Sequence, residues 1–249
     1  MAPTRVLILA GTAQARELCQ ALSDRADIAA IASLAGRTRE PQTLPVPTRH
    51  GGFGGVAGLL DYLQSGRVNL LVDATHPFAA QMSANAAQAC TRAGVARLSF
   101  DRDPWARQSG DDWIEVDDLA AAARALGDAP KRVFLSQGRV GISAFKNAGP
   151  HRYVLRAVDP PAREDLPENC KVILGRGPFA FSDEARLLED ERIDIMVSKN
   201  SGGSSAKIDA ARALHIPVVM IRRPAPPPGA RVTTLQDALD WIGAHRAAP

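Results

Sequence analysis

Residues 68–80 read VNLLVDATHPFAA, and the architecture rests on how that stretch is parsed. Val68, Leu70, Leu71 and Val72 make an apolar run too short for a helix and right for a buried strand, and it ends in a polar cluster, Asp73, Ala74, Thr75, His76, Pro77. Phe78, Met82, Ala86 and Ala89 recur at helical spacing, which predicts a helix with Pro77 in its first turn, where the missing N–H is tolerated. The same grammar returns later: Ile193, Ile195, Met196 and Val197 run into Ser198, Lys199, Asn200, Ser201, Gly202 and Gly203. In open parallel sheets ligands bind beyond the carboxyl ends of strands, so two such tips predict two half-sites facing one cleft.

Working outward, the chain opens with RVLILAG, a strand that turns at Gly11 and Thr12 into a helix carrying Ala15, Leu18, Cys19 and Leu22 on one face. Thr12 is well placed to cap that helix. Asp27 to Ser33 reads as a second strand, ending in SLAGRTR. A dinucleotide-binding fold that uses NAD offers an acid to the ribose there; this chain has Ser33, Arg37 and Arg39 instead, a pattern that suits a phosphorylated ribose or, equally, a solvated arginine pair. A third strand is expected around Val46 to Thr48. Gly51, Gly52, Gly54 and Gly55 come next, before a helix with Val56, Leu59, Leu60 and Leu63, and such a turn either admits a phosphate closely or is simply flexible. Val95 to Phe100 is a fifth strand, Trp113 to Val116 a sixth, and a helix runs from about Asp118 to Leu126.

After Asp128, Ala129 and Pro130 the pattern restarts. RVFLSQGRVG parallels RVLILAGTAQ; Tyr153 to Val158 and Lys171 to Leu174 are further strands; GRGPF turns into a helix; and the strand Val218 to Ile221 ends in IRRP as the fifth ends in FDRDP. The endings also match, IEVDDLAAAARAL against VTTLQDALDWI. The expectation is an α/β protein of two doubly wound, Rossmann-like domains with mainly parallel sheets, 1–129 and 130–249, with exchange of terminal strands left open by the matching endings.

Composition excludes several classes. Of 249 residues, 45% are hydrophobic, enough for two ordinary cores. Lys and Arg number 30 against 27 Asp and Glu, with no basic run that would read as a nucleic-acid footprint. Cys19, Cys90 and Cys170 are odd in number, widely separated and flanked by apolar residues, so they read as reduced core thiols and not as a metal set or disulfides. No apolar run is long enough for a membrane span, and a cytoplasmic protein is expected.

The chemistry-bearing residues lie at the two tips. GTAQAR lacks the full GxGxxG pattern and is a weak dinucleotide signal alone. His76 reads as a general acid or base, or as a cap or ligand contact, and a lone histidine is more often positional. Asp73 is expected to orient Thr75 and the local backbone, or to touch the nicotinamide side of a cofactor, and not to shuttle protons. In the second tip, Lys207 falls in the first turn of a helix beginning at Gly203 or Ser204, where its charge opposes the helix dipole, so an anion is expected nearby. The amides of Ser201 to Ser204 form a ready nest; the bland alternative is that Lys207 points back into water. Arg139, Arg156 and Arg176 lie at or near the ends of other strands of that half and predict a basic edge suited to a polyanion.

DATHPFA at 73–79 and SKNSGG with Lys207 together resemble the paired signatures of the precorrin-6A reductase family, NADPH-dependent enzymes of cobalamin biosynthesis. GTAQAR, SLAGR, the glycine cluster before Val56 and GRGPF extend the resemblance over nearly the whole chain. Gln14 departs from it, standing where the family's first turn often carries an acid. The resemblance implies reduction of one double bond of a partly formed corrin macrocycle, with hydride from NADPH and no indispensable side-chain nucleophile. It implies that Gly11, Thr12, Ala13, Ser33, Gly36, Arg37, Arg39, Gly52, Asp73, Thr75 and His76 serve NADPH. Lys199, Asn200, Ser201, Gly202 and Lys207 would hold the carboxylates of an anionic tetrapyrrole, with Arg139 and Arg176 beside them. Asp73, His76 and Lys199 are the candidates for positioning or proton supply, and no metal is expected. Contact with neighbouring enzymes of the pathway is left open. Two other readings fit a two-lobed α/β chain: a synthase such as uroporphyrinogen III synthase, which needs no nucleotide, and a non-catalytic binding protein for an anion.

Overall fold

The computed structural model describes residues 2–36 and 43–246. In chain order the elements are β1 (Thr4–Leu9), α1 (Ala13–Leu22), β2 (Ile28–Leu34), β3 (Thr48–His50), α2 (Gly55–Ser65), β4 (Leu70–Asp73), α3 (Ala80–Ala93), β5 (Ala96–Phe100), β6 (Trp113–Val116), α4 (Leu119–Ala125), β7 (Arg132–Leu135), β8 (Arg152–Ala157), β9 (Cys170–Leu174), α5 (Phe181–Asp190), β10 (Ile195–Lys199), α6 (Ala206–Ala213), β11 (Val218–Ile221), β12 (Ala230–Val232) and α7 (Leu235–Ala244). Short 3-10 turns come after β7 at Ile142–Phe145 and after β8 at Arg163–Asp165. Among the described residues no helix is long and apolar enough to cross a membrane.

The strands form two six-stranded sheets, ordered β3-β2-β1-β4-β5-β12 and β9-β8-β7-β10-β11-β6, and among the described residues every neighbouring pair runs parallel. Both have the doubly wound order, in which the winding reverses beside the central strand, between β1 and β4 or between β7 and β10. Burial on both faces explains the unbroken apolar runs. In β1, Val6 and Ile8 point to one side, where α1 and α7 contribute Leu18, Leu22, Ala238 and Ile242; Leu7 and Leu9 point to the other, against Leu59, Leu63, Ala86 and Cys90 of α2 and α3. In the second sheet Phe134, Met196, Val218 and Met220 pack on Leu188 of α5 and Ile208 of α6.

The strand partners correct the expected domain limits. One compact unit runs to Asp103 and resumes at Pro224, and the other is Pro104–Arg223, so the division expected between 129 and 130 falls inside the second unit. The reason is pairing: β6 lies on β11 in the second sheet, and β12 lies on β5 in the first. Each sheet thus takes its sixth strand and the helix after it from the opposite half of the sequence. Local pattern reports that a segment is a strand but not which edge it completes.

Smaller corrections come from turns. Residues 48–50, not 46–48, pair with β2. Pro77 and Phe78 lie in the turn before α3, which starts at Ala80, and α6 starts at Ala206 with Ser205 as its N-cap, later than Gly203 or Ser204. Cys19 and Cys90 are core thiols whose pKa burial raises to about 11, whereas Cys170 at the start of β9 is only partly buried; all three are free.

Candidate functional site

In the first unit the tips of β1, β2 and β4 and the loop before α2 surround a cavity of about 470 Å³. Gly11 turns the chain out of β1 at φ 132°, a conformation that disfavours any side chain. Thr12 is then the N-cap of α1: its hydroxyl accepts from the Ala15 amide at 3.2 Å and donates to the Ala74 carbonyl at 2.8 Å, tying the β1 tip to the β4 tip. The first turn of α1 holds no acidic residue, so the positive end of the helix is left for an anion. Gln14, which stands where the family often carries an acid, donates from Nε2 to the Asp101 carbonyl at 2.9 Å and anchors α1 to the segment after β5.

At the β4 tip Asp73 is buried, and one carboxylate oxygen accepts from the Thr75 amide at 3.1 Å and the Thr75 hydroxyl at 2.7 Å. This local turn holds Thr75 and His76 at the cavity wall, so Asp73 works from beneath. His76 Nδ1 accepts from the Phe78 amide at 3.2 Å. Gly11, Gly36, Gly52, Thr75 and His76, five of the residues expected to serve a dinucleotide, line this one cavity, and Thr12 and Ala13 start the helix beside it. Ser33 does not line it: the residue is buried and its hydroxyl accepts from Arg49 at 2.8 Å. Arg37 and Arg39 lie outside the described residues.

Arg49 is absent from the residues expected at the site, yet it organises the glycine loop. Its guanidinium donates to Ser33 Oγ, to the Gly51 carbonyl at 3.0 Å and to the Gly52 carbonyl at 3.1 Å, and it stacks 3.9 Å over the Phe53 ring. The only trace of this in the sequence is a basic residue on a short strand immediately before consecutive glycines. Gly58 completes the loop's seat, since a Cβ there would meet the Phe53 carbonyl oxygen at 1.7 Å. A larger cavity of about 800 Å³ runs along α3 against Pro227, Pro228 and Gly229. It is lined by the side of a helix and not by strand tips, so the smaller cavity is the candidate site.

In the second unit the expected anion-binding residues come at and after the end of β10. Lys199 ends the strand, and burial holds its ammonium below the usual lysine range. Gly202 and Gly203 both adopt positive φ, 66° and 80°, turning the backbone toward α6. Ser205, the N-cap, makes no capping bond; its hydroxyl donates to Asp209 at 2.6 Å. Lys207 crosses to the end of β7, with Nζ 3.2 Å from Ser136 Oγ and 5.1 Å from the Trp105 ring centroid. Trp105, in the loop between β5 and β6, is held through its backbone by Asn200: Oδ1 accepts from its amide at 2.8 Å and Nδ2 donates to its carbonyl at 3.0 Å. Its indole donates to the Gly203 carbonyl at 3.0 Å. Asn200 is therefore a clamp for Trp105, and its side-chain amide is already engaged, unlike the ligand contact expected of it.

The basic edge is shorter than expected by one residue. Arg139 and Arg176 stand after β7 and β9, but Arg156 makes a two-pronged bond to Glu184 at 2.9 and 2.8 Å, with side chains only 10% and 4% exposed, and stacks 3.9 Å over Phe179. Its charge is neutralised within the fold.

Known proteins match nearly the whole of this chain. The family model described as precorrin-6x reductase CbiJ/CobK matches residues 5–243. The precorrin-6A reductase of Rhodobacter capsulatus is 48% identical over 248 residues, covering 99% of this chain and 98% of that one. That of Mycobacterium tuberculosis is 45% identical over 243 residues, covering 96% and 97%. The solved structure of a CobK precorrin-6A reductase superposes with a TM-score of 0.93 at 48% identity, covering 99% of this chain and 98% of that one.

Proposed function

The chain belongs to the precorrin-6x reductase family, and from that premise we propose how its two sets of strand tips divide one reaction. It is a reductase that acts on a carbon–carbon double bond of precorrin-6A, in cobalamin biosynthesis. With the family established over residues 5–243, the synthase-like and non-catalytic readings are set aside.

We propose that the first unit takes NADPH and the second the anionic tetrapyrrole. The observation that carries this is the cavity of about 470 Å³ at the switch point of the first sheet, where Gly11 and an α1 N-terminus free of acids meet the wall made by Thr75 and His76. Those residues fit a pyrophosphate and the groups joined to it. When bound, the nicotinamide supplies the hydride. The chain's own part is orientation and charge. Asp73 fixes the turn that presents Thr75 and His76, Arg49 holds the glycine loop, and Arg37 with Arg39 reads the ribose phosphate. In the second unit Lys199, Lys207, Arg139, Arg176 and the backbone of Ser201 and Gly202 receive carboxylates. Burial at the end of β10 eases proton loss from Lys199, which supports it as the source of the proton that accompanies the hydride. Buried free thiols suit a reducing cytoplasm.

Mixing the full chain with NADPH and authentic precorrin-6A is expected to consume the reduced nicotinamide in step with substrate; no consumption would overturn the reading. The Arg37→Ala, Arg39→Ala double variant is expected to raise the Kd for NADPH by about tenfold or more while that for NADH stays within about twofold. Equal losses would remove the phosphate role.

A further inference from the structure

We propose that Gln137 reads the tetrapyrrole directly, donating from Nε2 to a carboxylate and accepting at Oε1 from a donor on the same ligand. Both atoms are buried and make no hydrogen bond among the described residues. Native folds rarely leave such groups unpaired, because the lost solvation is not returned. A carboxamide with both ends unengaged at a strand tip is arranged for something that binds there.

Position supplies a second, independent argument. In the first sheet Ile8 stands opposite Val72, and in the second Leu135 stands opposite Val197. Counting on from those pairs, Leu9 corresponds to Ser136, Ala10 to Gln137 and Gly11 to Gly138. Ala10 and Gly11 line the cavity of the first unit. The same place in the second unit therefore carries a side chain with two donors and two acceptor lone pairs where the first carries a methyl group. The two segments also continue differently: α1 begins two residues after Gly11, but the segment after Gly138 forms only the 3-10 turn Ile142–Phe145. The β7 tip lacks the helix N-terminus that suits a pyrophosphate and presents side chains instead. Next to Gln137, Ser136 receives the Lys207 ammonium, and Arg139 comes directly after Gly138. An amide among these cations suits a ligand that bears carboxylates and also polar ring atoms.

The inference rests on the reading that the second unit holds the substrate, so its test carries a control for that reading. Precorrin-6A is titrated calorimetrically into the full chain in saturating NADP+, which has no hydride to give. Gln137→Met keeps the volume and removes both polar ends; Gln137→Glu keeps the shape and adds a charge repelled by carboxylates. The Kd for precorrin-6A is expected to rise about fivefold or more in the Met variant and further in the Glu variant, while that for NADP+ stays within about twofold. An unchanged Kd for precorrin-6A in either folded variant, or an equal loss for NADP+, overturns the role of Gln137. Lys207→Met is measured alongside: if it weakens precorrin-6A while the Gln137 variants do not, only this inference falls, and if none of the three does, the assignment of substrate to the second unit falls with it.

Discussion

At the scale of single residues, Lys199 shows a charge working against the fold that holds it. Its pKa falls on folding because burial disfavours the ammonium. A lysine of this kind opposes folding at every pH where it is charged in both states, and the cost is relieved as pH rises through the lowered value toward that of the unfolded chain. Lys199→Met is therefore expected to raise the Tm at neutral pH and to abolish the alkaline part of the wild-type gain, while weakening precorrin-6A binding. Melting curves across pH with a binding titration check both, and a lower Tm in the variant would count against the cause given. Asp73 and Asn200 show the converse. Each spends its polar group on neighbours: Asp73 on Thr75, as its place in the sequence leads one to expect, and Asn200 on the Trp105 backbone, where the family resemblance implies a ligand contact.

At the scale of elements, the tip proposed to take the dinucleotide depends on α1 beginning where it does. Thr12 joins that start to the β4 tip through one hydroxyl that accepts from Ala15 and donates to Ala74. Thr12→Ala is expected to cost about 1 kcal/mol of stability for the cap, with a further loss in NADPH affinity as the two tips part, whereas Thr12→Ser restores most of both. Denaturant titration and NADPH binding measure the two effects, and a stability loss with unchanged affinity would confine Thr12 to capping. The existence of α1 is legible from Ala15, Leu18, Cys19 and Leu22, all buried as that spacing requires. The start of α3 is not, because a proline tolerated in a first turn is equally at home in the turn before it. Arg49 is silent in the sequence because its meaning lies in three acceptors, two on the loop after it and one on β2, which only the folded chain brings within reach.

At the scale of the whole molecule, the exchange of edge strands dictates which pieces of chain can stand alone. Residues 104–223 contain every strand of the second sheet in one run, whereas the first sheet needs β12 from beyond residue 223. A fragment of residues 104–223 is expected to unfold in one cooperative transition. Residues 1–129 expressed alone lack β12 and α7, leaving β5 as an open edge and the Ala238 and Ile242 side of the core uncovered, and are expected to aggregate or remain loosely packed. Circular dichroism melts of the two fragments check this. A cooperative 1–129 fragment would show that the exchanged strand is dispensable.

Two parallel α/β units and the strand–turn–helix pattern at their tips were determined by sequence alone, because apolar periodicity, glycine turns and caps act within a few residues of one another. DATHPFA and SKNSGG carry their positions in their own local order. The tertiary structure decided which strand closes which sheet, which polar side chains are already engaged inside the fold, and that Gln137 at its strand tip makes no hydrogen bond among the described residues. Those depend on contacts between residues far apart in the chain, and a local pattern carries no record of its distant partner.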